Sequence, residues 1–330
     1  MSALTYLTTS NGQPKLSAIQ PQDPSTACTL EYLNEGGANV VFRILPEEGY
    51  PLPKIVVGKL LRVRKDLPHV QSTIEQVQGF ERHFKPLFPS EHVVQHSLLQ
   101  LAPDASRMLN RYLRHVDRPF HRAQTFLSHS EDYGILITDM TPIPGSKLLQ
   151  FKPKWLCQSP NAPANAKRCR TCALRAQRTS QDVRTATDEQ ASCPLALISE
   201  HTDDRQRTAE AVTSDLELRA SLALEAQPLL HTLRWWQVRL DPGGVLSPSA
   251  DEAKSSNICK AMTLRDCTLF VRRSDAGVIE LRLGDLDLKQ AKQIGKWEQV
   301  EQSLIDGGWY MHSESKAVWV EERICLLSRT

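Results

Sequence analysis

Apolar and polar positions alternate over residues 28–33 and again over 40–45, the two-residue period of strands with one face in a core. Glu35-Gly36-Gly37-Ala38-Asn39 lies between them and reads as the turn of a hairpin. A third strand is expected over residues 54–63, an amphipathic helix over 72–84 and another over 104–116. Ile135-Leu136-Ile137 is a buried strand that runs into the polar turn Thr138-Asp139-Met140. Further on, the pattern places a basic helix over 167–178 and helices over 216–224 and 229–236. Two strands follow, 267–271 and 278–283, joined through Asp275-Ala276-Gly277, then a helix over 290–304. Residues 1–26 are polar and hold three prolines, and are expected to be a flexible leader. Residues 179–192 lack periodicity and read as a disordered insert, and 241–257 read as a loop rich in Gly, Pro and Ser.

A chain of 330 residues can bury a full core, as two domains or one two-lobed domain. It contains no run of about 18 apolar residues and opens on no basic segment followed by an apolar stretch, so a soluble, unsecreted protein is expected. Lys and Arg number 40 against 38 Asp and Glu, a net charge of +2 that gives no global attraction to nucleic acid or membrane. An anion site would therefore need a local concentration of cations. Eight cysteines spread over this length argue for reduced thiols rather than a disulfide scaffold, and leave room for a metal site.

Several stretches carry candidate chemistry. In Gln150-Phe151-Lys152-Pro153-Lys154-Trp155, Pro153 keeps Lys152 extended, and residues two apart in an extended segment share a side, so both ammonium groups face one target. Taken alone, the pair reads more readily as solvated lysines beside a turn. A glycine-rich turn lets backbone N–H groups approach a phosphate closely, although Gly36-Gly37 also suits an ordinary hairpin. Arg62 follows on the next strand, where kinase-like domains place the cation that holds nucleotide phosphates. Residues 167–178 hold five Lys or Arg and no acid, which suits a solvated helix face or a nucleic-acid patch as well as a phosphate clamp. Cys169-x-x-Cys172, with Cys157 and Cys193, could bind zinc as four thiolates, or could be buried thiols. Asp285, Asp287 and Lys289 share one face if the backbone stays extended, and a carboxylate at a strand end suits Mg²⁺ against phosphate oxygens.

The ordered set of Glu35-Gly36-Gly37-Ala38-Asn39-Val40, Gly58-Lys59-Leu60-Leu61-Arg62, Lys152-Pro153-Lys154-Trp155, Arg168-Cys169-Arg170-Thr171-Cys172, Cys193-Pro194-Leu195, Arg265-Asp266-Cys267 and Asp285-Leu286-Asp287-Leu288-Lys289 resembles the inositol-pentakisphosphate 2-kinases in their fungal form, over roughly residues 31 to 310. Two positions depart from the family pattern: Gln150 stands where the signature E-x-K-P-K has Glu, and Ala196 follows Cys193-Pro194-Leu195 where Asp is usual.

The resemblance implies an α+β, two-lobed kinase-like fold. A leader of residues 1–26 would precede an N-lobe with an antiparallel sheet over 27–144 and a larger mixed α/β C-lobe over 145–330, with the active site between the lobes. It implies transfer of the γ-phosphate of ATP to the 2-hydroxyl of inositol 1,3,4,5,6-pentakisphosphate, which gives inositol hexakisphosphate (phytate). Gly36, Gly37, Ala38, Asn39, Val40 and Arg62 would hold the nucleotide phosphates, with Asp139 and Met140 at the adenine. Arg122, Lys152, Lys154, Arg170, Lys289, Lys292 and Trp297 would bind the inositol phosphate, and Asp266 would orient its hydroxyl. Asp285, assisted by Asp287, would hold Mg²⁺, and Lys152 would also touch the transferred group. A nuclear monomer with no membrane or nucleic-acid partner is expected. The alternatives are a non-catalytic anion or RNA binder built on residues 167–178, and a kinase for a less phosphorylated inositol.

Overall fold

The computed structural model describes residues 4–10, 13–20, 23–46, 51–101, 104–180, 192–247, 252–311 and 325–328. Within them the chain is α+β, with ten strands in two antiparallel sheets and eight α-helices. It divides into two compact units, Met1–Arg82 with Val94–Asp139, and His83–Val93 with Met140–Thr330.

The first unit is a seven-stranded sheet in the order β1-β2-β3-β4-β5-β7-β6. Its strands are β1 (Leu4–Ser10), β2 (Gln13–Gln20), β3 (Asp23–Glu35), β4 (Asn39–Pro46), β5 (Lys59–Arg64), β6 (His96–Gln100) and β7 (Tyr133–Thr138). Helix α1 (Thr73–His83) lies between β5 and β6 in sequence, and α2 (Ala105–Leu113) between β6 and β7. Period-two alternation buries Val40, Phe42 and Ile44 of β4 with Leu61 and Val63 of β5 in one core that also takes Leu109 and Leu113 from α2. The same alternation turns Arg62 to the other face, where its Nη2 donates to Gln76 Oε1 of α1 at 3.3 Å. Ser72 and Glu75 start α1 as a capping box, since Glu75 N donates to Ser72 Oγ and Ser72 N to Glu75 Oε2.

The second unit carries a three-stranded sheet in the order β10-β9-β8, formed by β8 (Ser146–Phe151), β9 (Thr268–Ser274) and β10 (Ile279–Gly284). Its helices are α3 (Arg170–Ser180), α4 (Thr202–Val212), α5 (Leu216–Ala220), α6 (Gln227–Leu240), α7 (Glu252–Leu264) and α8 (Ile294–Asp306). In the register Phe151 lies opposite Leu269, and Thr268 opposite Gly284. The C-terminal ends of β8 and β10 and the start of β9 therefore meet at one edge of the sheet, with neighbouring strands about 4.8 Å apart.

Several elements differ from their sequence-based expectation. Two strands occupy Leu4–Ser10 and Gln13–Gln20, in the stretch expected to be a leader. The strand expected over 54–63 begins only at Lys59, because Pro51 and Pro53 donate no ladder hydrogen bond and Val56 N and Lys59 N turn back onto Pro53 O and Val56 O. The basic helix begins at Arg170 and ends at Ser180, and residues 181–191 of the expected insert lie outside the described residues. Helix α7 starts inside the expected 241–257 loop, of which 248–251 are not described. Helix α8 begins four residues late, because Gln290 is extended at φ −92°, ψ 145° and residues 291–293 form a 3-10 turn first.

Phe42 is fully buried in the first unit's core. Phe42→Ala is expected to cost about 3–5 kcal/mol, read as a lowered denaturant midpoint at unchanged slope.

Candidate functional site

Three strand ends at one edge of the second unit's sheet bring the sequence-predicted residues together. Asp266 precedes β9, Asp285 follows β10 and Lys152 follows β8. Lys152 Nζ lies 3.4 Å and Lys154 Nζ 3.2 Å from Asp266 Oδ1, while Lys289 Nζ lies 3.0 Å from Oδ2. Lys152 Nζ is also 3.7 Å from Asp285 Oδ2, which accepts a short hydrogen bond from Thr268 Oγ1. Three ammonium groups and two carboxylates leave the cluster one net positive charge. Burial alone would raise the Asp266 carboxyl pKa, but Lys289, Lys152 and Lys154 outweigh it and hold the group at about 2.

Two of these residues adopt left-handed backbone without being glycine, Lys154 at φ 62° and Asp285 at φ 55°. Such conformations persist where surrounding contacts over-determine them, and they concentrate at binding and catalytic positions. Around Lys154 the contacts are buried and charged. Trp155 carries the guanidinium carbon of Arg265 at 3.7 Å and that of Arg170 at 4.3 Å from its ring centroid. Arg265 Nη1 pairs with Asp241 Oδ2 at 2.6 Å, and both side chains are almost fully buried.

Arg170 is not among the cations on Asp266. Its Nε donates to Glu301 Oε2 at 2.7 Å, and Glu301 also accepts from Ser159 Oγ and Tyr310 Oη. Arg168 is buried as well, with Nη1 on the carbonyls of Trp309 and Met311. Residues 167–178 thus do not present five cations to solvent, which weighs against a nucleic-acid surface there. Trp297 packs in a core cluster with Trp155 and Met262, whereas Lys292 is exposed on the 3-10 turn. Asp285 is exposed; Asp287 is half-buried and its carbonyl accepts from Thr263 Oγ1. Gln150, at the position of the family's Glu, pairs with Phe270 in the sheet.

In the first unit, the glycine turn is anchored by one buried carboxylate. Glu35 Oε1 and Oε2 accept a fork from Arg118 Nε at 2.8 Å and Nη2 at 2.9 Å, and Lys65 Nζ lies 2.5 Å from Oε2. Lys65 also donates from its backbone N to Ala38 O and from Nζ to Gly36 O. Arg122 reaches the same turn through a short hydrogen bond to the Glu35 carbonyl. Burial pushes the Glu35 carboxyl up, yet Arg118 and Lys65 leave it below the usual carboxylate range. A Cβ built on Gly36 or Gly37 meets nothing within 4 Å, while Gly36 N closes the turn on Asn39 O at 2.9 Å. Asn39 and Val40 open β4 directly after it. Arg62 stands on β5 opposite Val41, and Asp139 N bonds Gly58 O just past the end of β7, followed by buried Met140. In the sequence Lys65 ends the Gly58 to Lys65 stretch of the family resemblance and Arg118 is one of two loop arginines, as readily solvated as functional; only the fold shows them closing on Glu35.

The cysteine set is revised. Cys169, Cys172, Cys193 and Cys325 place their sulfurs within 4.8 Å of one another, all buried. Cys193 Sγ lies 3.8 Å from Cys169 Sγ and 3.6 Å from Cys325 Sγ. A tetrahedron of thiolates about 2.3 Å from one zinc ion has sulfurs about 3.8 Å apart, so the set fits the ion. Cys157 is elsewhere, beside Arg265, because Trp155 and Leu156 turn into the core just before it. Cys325 follows a long separation that no spacing rule connects to the other three.

A cluster of three lysines around Asp266, with Asp285 beside Lys152, gathers charge at the ends of β8, β9 and β10. The chain belongs to the inositol-pentakisphosphate 2-kinase family, whose model matches residues 32–234 and 216–303. An inositol-pentakisphosphate 2-kinase of Yarrowia lipolytica is 32% identical over 173 residues, which are 50% of this chain and 54% of that protein. The chain thus spans about half the length of this curated relative. Among the described residues no helix is long and apolar enough to cross a membrane.

His96 on β6 is buried against Phe80, with ring centroids 4.2 Å apart. Burial first, and then the charges of Arg62 and Lys59, push its pKa well below the usual histidine range. The unfolded chain then binds more protons, so stability is full above the unfolded value of about 6.5 and falls as pH drops below it. His96→Leu is expected to remove part of the fall in denaturation midpoint between pH 7 and pH 5, measured by urea titration at each pH.

Proposed function

We propose that this protein is an ATP-dependent kinase that phosphorylates the 2-hydroxyl of inositol 1,3,4,5,6-pentakisphosphate to give inositol hexakisphosphate. The single observation that carries this is the convergence of Lys152, Lys154 and Lys289 on Asp266, beside Asp285, in a chain of this family. Five phosphomonoesters bring roughly −8 to −10 of charge, which in a protein of near-neutral total charge calls for a local cluster of cationic side chains.

On this reading the three lysines exchange Asp266 for phosphate oxygens when the substrate arrives. Lys152 neutralises charge on the group in transfer, and Lys154 and Lys289 hold the inositol ring. A carboxylate such as Asp266 is too weak a base to remove a hydroxyl proton before bond formation. Its part is to orient the 2-hydroxyl and to take the proton late. Asp285, exposed at the strand end and oriented by Thr268, is the fit for Mg²⁺, with Asp287 behind it. Mg²⁺ when bound would neutralise the nucleotide phosphates. The sheet order, the glycine turn and the pairing of Arg62 with a helix residue support a kinase-like first unit that takes ATP. Lys292 is a further cation for the substrate, and Arg170 acts through Trp155. Asp139 and Met140 take the adenine. The Cys169, Cys172, Cys193 and Cys325 set is a structural zinc site, and a nuclear location is implied by the family resemblance alone.

Turnover of the pentakisphosphate with ATP and Mg²⁺ is the direct test. Asp285→Ala and Lys152→Met are each expected to lower kcat by about 10²-fold or more; activity only on less phosphorylated inositols, or RNA binding without turnover, would sink the proposal. The kcat/KM profile, which reports the free enzyme, should show no limb from Asp266 above about pH 4, since its carboxyl is already ionised there. For the metal, elemental analysis should find about one zinc per chain, lost in Cys325→Ser and retained in Cys157→Ser.

A further inference from the structure

Gln237 lies on α6, far in sequence from either lysine of the Lys152-Pro153-Lys154 turn, and is completely buried. Its Nε2 donates to Lys154 O at 3.0 Å and to Leu264 O at 3.2 Å, and its Oε1 accepts from Leu156 N at 2.9 Å. The orientation of the amide is fixed by its partners, because two carbonyls demand the NH₂ group and one N–H demands the oxygen. Both donors of the carboxamide are used within the fold, and its oxygen is engaged too. The backbone carbonyl of Gln237 also accepts from Arg265 Nη2 at 3.2 Å.

The three partners belong to the two segments that meet at the cluster. Lys154 and Leu156 flank the left-handed turn that aims the Lys154 ammonium, and Leu264 and Arg265 directly precede Asp266. A single side chain therefore sets the spacing between the backbone that carries Lys154 and the backbone that carries Asp266, the pair whose charged atoms stand 3.2 Å apart. Trp155 and Arg265, stacked at 3.7 Å, press the same two segments together, but a stacked pair can slide, whereas three hydrogen bonds to fixed backbone atoms cannot.

We propose that Gln237 is a positioning residue for polyphosphate recognition, which holds Lys154 and Asp266 in register through their backbones. This rests on the lysine cluster being the inositol phosphate site. Gln237→Met keeps the volume and removes all three hydrogen bonds. Calorimetric titration with inositol pentakisphosphate is expected to show affinity at least ten-fold weaker than in the unaltered chain. Affinity for ATP without Mg²⁺ should be unchanged, which a general loss of folding would not allow. In the double variant Gln237→Met with Lys154→Met, the loss should be no greater than in Lys154→Met alone, since the first residue acts through the second. Pentakisphosphate affinity of Gln237→Met within two-fold of the unaltered chain, or losses that multiply in the double variant, would overturn the proposal.

Should Gln237→Met fail to fold, Gln237→Glu serves instead. Its carboxylate opposes two carbonyls at neutral pH, and its protonated form restores one donor, so its deficit relative to the unaltered chain should shrink as pH falls from 7 to 5. A deficit that does not change with pH overturns the assignment. An unaltered chain that does not bind the pentakisphosphate would instead remove the substrate reading itself, and the role of Gln237 with it.

Discussion

Three lysine ammonium groups held on one aspartate are the constraint on which the remainder of the second unit depends. At about 4 Å two like charges oppose each other by about 1 kcal/mol in water and about 4 kcal/mol near a protein surface, so three amines do not gather without a counter-charge. Asp266 supplies it, with Asp285 near Lys152. The arrangement is left one positive charge in excess, because two carboxylates do not match three ammonium groups. Strand register delivers the residues: Phe151, Thr268 and Gly284 end or begin their strands at one edge of the sheet.

Around this exposed cluster stands a dry frame. Asp241 with Arg265, Glu301 with Arg170, and Trp155 under both guanidinium groups are buried directly behind the residues that carry charge into solvent. Buried ion pairs give little net stability, because desolvation offsets their attraction, and their use lies in fixing geometry. The first unit repeats the device, with Glu35 clamped by Arg118 and Lys65 one residue before the Gly36-Gly37 turn. In each unit a buried charge pair is next in sequence to a segment that must keep its shape while facing water.

The β3–β4 hairpin with its glycine turn, and strands β5 and β7, were legible because their apolar positions alternate or run together between clear turn residues, whereas β1 and β2 lie in the expected leader and β6 was not anticipated. Lys152, Lys154, Asp266, Asp285 and Lys289 were legible too, since proline, strand ends and the family motifs mark them. Other features were not. Arg170 looks like a solvated cation in a basic run, and its burial against Glu301 depends on a residue more than a hundred positions away. Cys325 joins Cys169, Cys172 and Cys193 from the far end of the chain, where no spacing rule applies, and displaces Cys157 from the expected set. Gln237 carries no local signal at all, because a glutamine on a helix is ordinarily a surface residue, and only tertiary packing makes it a bridge.

The ionisation of the Asp266 carboxyl in the free protein tests the central claim most directly. Titration followed by carbon-13 NMR of the labelled carboxyl should place its pKa at about 2, rising when Lys152 and Lys289 are replaced by methionine. A value near the ordinary aspartate figure of about 3.9, unmoved by those replacements, would mean that the lysines do not converge on it and would contradict the account.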